Sequence, residues 1–88
     1  LKSKDNALEV QKFLTSQQGK TLDQSIKMFN ALPDMTKMSM IQMAGGNSEA
    51  NEKLSSDEKA KLAMSNISLI IGQNAENLRR LNSRPSGE

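Results

Sequence analysis

SSDEKAKLAMSNISLIIGQNAENLRRLN, residues 55–82, decides how the chain is read. Ser55 followed three residues later by Glu58 has the spacing of a capping box, in which each side chain satisfies the other's backbone N–H. Asp57 and Glu58 stand where the positive pole of a helix favours anions. Ala60, Met64, Ile67, Ile71, Asn74, Leu78 and Leu81 then recur at steps of 4, 3, 4, 3, 4 and 3, which keeps them on one helical face. Arg79 and Arg80 stand near the negative pole, Asn82 or Ser83 ends the segment, and Pro85 prevents its resumption. The spacing predicts one helix over about residues 56–82, roughly 40 Å long. Gly72 inside it costs about 1 kcal/mol against Ala and reads as a tolerated surface glycine.

Three heptads raise the question of a two-stranded coiled coil, which would place charges beside its seam. The flanking positions here are Lys61, Ala63, Ser68, Ile70, Ala75, Asn77 and Asn82, with a single charge among them. Ala63, Ile70 and Ala75 widen the apolar stripe toward the bundle type. A small all-α helical bundle is therefore the expected fold. If a second copy joins it, the natural oligomer seam is Ile70, Ile71, Asn74, Leu78 and Leu81. Leu62 and Leu69 fall opposite the stripe, and read either as a second buried face or as a partner surface.

Upstream, MTKMSMIQM at residues 35–43 holds four of the six methionines. A short helix over about 35–44 is expected, with Asp34 or Thr36 as cap and Gly45-Gly46 as stop. At 100° per residue, Met35, Met38, Met40, Ile41, Met43 and Ala44 go most of the way round it. A helix that is apolar all round is either enclosed or an interface. Methionine is flexible enough to serve an irregular core or a varied partner. Met35, Met38, Met40, Ile41 and Met43 are accordingly the expected partner contacts, with core filling as the competing reading. Thioethers also suit Cu(I), but on a helix these diverge, so no metal is expected.

Two more helices complete the pattern. Ser3 or Asp5 can cap a first helix over about 4–18, with Ala7, Val10, Phe13, Leu14 and Gln17 at helical spacing and Gly19 as the left-handed stop. Thr21 and Gln24 form a second capping-box pair. Leu22, Ile26, Phe29 and Leu32 stripe a helix over about 21–32 that Pro33 ends. So short a link implies an antiparallel helical hairpin. The hairpin is too short to cover the long C-terminal helix, on which the Met-rich helix is also expected to pack. GGNSEANEKLSS, residues 45–56, reads as a mobile polar loop with room for one helical turn. Residues 1–82 form one expected domain, and 83–88 a disordered tail or a linker. Leu1 at the start reads as a piece of a longer protein.

Composition limits the function classes. Eighty-eight residues make one domain at most, burying about 60–65% of its unfolded surface. Phe13 and Phe29 are the only aromatics, so the core must be aliphatic and Met, which suits helices. There is no His, Cys, Tyr or Trp, hence no usual general base or nucleophile–base pair. QQGKTL lacks the upstream glycine of a phosphate loop. No enzyme activity and no cofactor are expected. No apolar run approaches the length of a membrane span. Absence of cysteine fits the cytoplasm and equally fits export without oxidative folding.

The net charge of +2 is weak and its signs alternate. The one compact basic cluster, Arg79, Arg80 and Arg84, reads as a solvated helix end. Helices one and two could form a helix-turn-helix with Lys20, Lys27 and Asn30 facing DNA, but no basic stripe continues. The expected function is a non-catalytic protein–protein interaction module, adaptor, regulatory or assembly in role. Its partner is another protein or a second copy as a homodimer. In composition alone the chain resembles bacterial or phage helical assembly and secretion-associated proteins.

Overall fold

Local signals in the sequence set most helix boundaries. The structure, a computed structural model, describes residues 2–45 and 48–83. Within them lie α1 (Lys2–Ser16), α2 (Leu22–Asn30), α3 (Asp34–Met43), α4 (Ser48–Glu52), α5 (Ser56–Ser65) and α6 (Ile67–Ser83). Both capping boxes form: Thr21 Oγ1 accepts from Gln24 N at 3.2 Å, and Ser55 Oγ accepts from Glu58 N at 3.2 Å. Gln24 Oε1 and Glu58 Oε1 return the bond from the cap N–H, each at 2.9 Å. Gly19 and Gly45 adopt positive φ, 78° and 90°, as helix stops. Gly46, Arg84, Pro85 and the expected tail lie outside the described residues.

Three expected boundaries shift. Ser3 and Asp5 lie inside α1 rather than at its cap. Pro33, not Asp34 or Thr36, takes the N-cap position of α3, with no side-chain cap. The largest change is at Asn66, which divides the expected 56–82 helix into α5 and α6. Asn66 Nδ2 donates to the Leu62 carbonyl at 2.9 Å, the acceptor its own N–H would use in an unbroken helix. That N–H turns to Ala63 O at 3.2 Å, and the backbone moves to φ −118°, ψ 32°. An asparagine amide competing locally for backbone acceptors explains the break.

Packing follows two pairs with α3 between them. α2 lies against α5 and α1 against α6, while α3 touches α1, α5 and α6. The expected α1–α2 hairpin does not lie side by side, because α1 ends at Ser16 and the link runs from Gln17 to Thr21. That length lets the chain change direction. The two helices meet where Phe13 and Phe29 stack edge-on, ring centroids 6.4 Å apart. Each part of the C-terminal half thus gains a cover from within the chain. The core joins Val10, Phe13, Leu14, Phe29, Met40, Ile41, Ala44, Ala60, Ala63, Met64 and Ile70. Ala60 and Ala63 are fully buried and small, so neighbouring helices can approach α5 closely.

Candidate functional site

The methionine segment divides by helical geometry. Thr36, Met40 and Ala44, four residues apart, face inward together with Ile41. Met40 is 0% exposed and Ile41 is buried beside it, so neither side chain has surface to offer a partner. Met43 is half-buried against the core, and its Sδ receives Asn77 Nδ2 at 3.8 Å. Met35 and Met38 point the other way, 67% and 62% exposed. Core and surface therefore share one helix. The thioethers of Met35 and Met40 lie on opposite sides of it and do not converge.

Met38 rims a groove between α3 and α5. Two compartments, of about 300 and about 190 Å³, share Met38, Ile41 and Lys59 as lining. The larger is closed by Phe29 and Asn30 at the end of α2 and by Ser56 at the start of α5. The smaller is bounded by Gln42 and by Asn51 and Glu52 of α4. The floor is core: Ile41 and, in the larger compartment, Phe29.

Charges on this rim are partly spoken for. Lys37 Nζ lies 3.4 Å from Asp34 Oδ1. Asn30 Nδ2 donates to Asp57 Oδ1 at 3.1 Å, tying α2 to α5. Lys59 is half-buried, lines both compartments, and among the described residues has no ion pair or side-chain hydrogen bond. Sequence reading missed Lys59, Asn30 and Ser56 as parts of one surface. They come together only through the packing of α2 on α5, which no local pattern encodes.

The other expected contact residues separate. Leu62 is half-buried and packs on the core, whereas Leu69 is exposed, so the two do not form a common face. The expected seam also divides. Ile70 and Asn74 are inside, at 0% and 1% exposure, while Ile71 is exposed. Leu78 and Leu81 are half-buried. The break at Asn66 turns Ile70 rather than Ile71 into the core.

Elsewhere, Asn74 Nδ2 donates to Ala7 O at 3.0 Å, linking α6 to α1, while its Oδ1 has no partner within the protein. Asn74 lines a cleft of about 500 Å³ with Asn6, Ser39, Asn77 and Arg80. At the end of α6, Arg79 Nε donates to Glu76 Oε2 at 3.0 Å and Arg80 Nε to Glu76 Oε1 at 3.4 Å. The hydrogen bond from Arg79 holds the Glu76 carboxyl below its ordinary range. The basic cluster is thus shared with an acid. Among the described residues no three His, Cys, Asp or Glu side chains gather as a metal set, and no helix is long and apolar enough to cross a membrane. No family model matches the sequence, and neither curated proteins nor solved structures yield a match.

Proposed function

We propose that this chain is a non-catalytic protein-interaction module that docks a partner protein on the outer face of α3 and the α3–α5 groove. The observation that supports it most is the pair Met35 and Met38, both about two-thirds exposed, one of them rimming a groove floored by core side chains. Large apolar side chains scattered singly over a surface are ordinary. Two on one helix face beside an apolar-floored groove match the way protein partners anchor. Methionine suits such a face because its unbranched side chain can repack against the partner. The catalytic alternative lacks the usual residues, since the chain has no His, Cys or Tyr.

DNA binding through α1 and α2 is the weaker reading. Asn30, which would face the bases, is engaged with the Asp57 carboxylate, and a carboxylate there repels phosphate.

The test compares the chain with its Met35→Glu/Met38→Glu double variant, both immobilised against an extract of the source cells. Circular dichroism should match, since both positions are exposed. A specific protein retained by the parent and by an Ile71→Glu control, and lost by the double variant, is the expected result. Equal retention by all three would defeat the reading.

A further inference from the structure

The groove carries information about the occupant, on the reading of it as a docking surface. Two compartments separated by shared side chains call for two apolar anchors rather than one. α3 and α5 are each ten residues long, about 15 Å of helix. A third helix laid along them matches that length and would present anchors about one turn apart.

Lys59 supplies the charge argument. It lines both compartments, so an occupant that fills them covers its ammonium. Covering an ammonium without a counter-charge is strongly unfavourable. The nearby acids do not supply one: Asp34 is with Lys37, and Asp57 accepts from Asn30. Glu52 borders the smaller compartment and forms no ion pair with Lys59 among the described residues. The occupant must therefore bring the carboxylate. We propose that the α3–α5 groove takes an acidic amphipathic helix of a partner protein, with two apolar side chains one turn apart and an Asp or Glu between them that meets Lys59. An apolar helix with a neutral or basic residue at that place is rejected by the uncompensated lysine, which gives selectivity by penalty as well as by attraction.

The test uses two fluorescently labelled model helices with two leucines one turn apart, identical except for Glu or Lys between them. Anisotropy is read against the whole chain and its Lys59→Glu and Met38→Glu variants, all checked for unchanged helicity. The glutamate helix is expected to bind the parent about tenfold more tightly than the lysine helix, with the order reversed by Lys59→Glu. Met38→Glu is expected to abolish both. Equal binding of the two helices, lost on Met38→Glu, would overturn the acidic occupant and leave the docking face standing. Binding of neither helix, or binding indifferent to Met38→Glu, would overturn the proposed occupant outright, while the capture experiment with Met35 and Met38 still judges the docking reading separately.

Discussion

Asn74 is the least balanced polar group of the core. It is 1% exposed, gives one hydrogen bond to Ala7 O, and leaves Oδ1 without a partner in the protein. Ala7 lies inside α1, so its carbonyl keeps a helical partner if Asn74 is changed. A buried acceptor without a bond costs about 1–3 kcal/mol, more than a typical bond returns. Asn74→Leu is expected to raise stability by about 1 kcal/mol in urea unfolding; a loss would mean the Ala7 bond outweighs the orphaned oxygen. Ser55 and Glu58 give a second prediction. Hydrogen bonds from the backbone and hydroxyl of Ser55 hold the Glu58 carboxyl below its ordinary range. A carboxyl lowered on folding stabilises fully above its unfolded pKa, about 4.3, and that contribution drains as pH falls through the lower folded value. Glu58→Gln keeps the capping box but cannot titrate. Its unfolding midpoint should therefore vary less with pH than the parent's in the acid range, and parallel curves would refute the linkage.

At the scale of elements, what the sequence made legible depended on whether the deciding interaction was local. Thr21 with Gln24, Ser55 with Glu58, and Gly19 act within three or four residues, and each formed as expected. The break at Asn66 is also local in mechanism, yet an asparagine within an apolar heptad run carries no distinctive spacing. It shares its residue type with Asn74 and Asn77, which remain inside α6. The consequence is not local. With the helix divided, Ile70 enters the core and Ile71 leaves it, so the heptad register that reads correctly through Met64 fails one turn past the break. Gly72, by contrast, behaves as its place in the pattern suggests. It lies within α6, and a Cβ added there meets nothing within 4 Å. Gly72→Ala is expected to stabilise the chain by about 0.5–1 kcal/mol, or a few degrees in Tm for a domain this small. No gain in a thermal melt would show that α6 depends on backbone freedom at this position.

At the scale of the whole molecule, an all-helical bundle was legible because every stripe has helical period and the core has almost no aromatic or β-branched surplus. The pairing of helices was not. α2 chooses α5 and α1 chooses α6, and those choices rest on matched shapes such as Phe29 and the small Ala60 and Ala63, which periodicity does not report. The same limit applied to the groove: Met38 was visible in the sequence as one of four crowded methionines, but Lys59 as its neighbour across the groove was not. The fold turns the crowding into a graded set of thioethers. Met35 and Met38 are exposed, Met28 and Met43 are half-buried, and Met40 and Met64 are buried. Peroxide attacks accessible thioethers first, so dilute oxidation of the folded chain, read by mass spectrometry, should modify Met35 and Met38 well before Met40 and Met64. Because Met40 and Met64 both face the core, they should stay protected together until the chain opens. Early oxidation of Met40 at unchanged helicity would detach α3 from the core and remove the inward face on which the groove is built. Repeating the measurement with a docked partner separates surface from core once more: protection should rise at Met38, which rims the groove, and stay where it was at Met64.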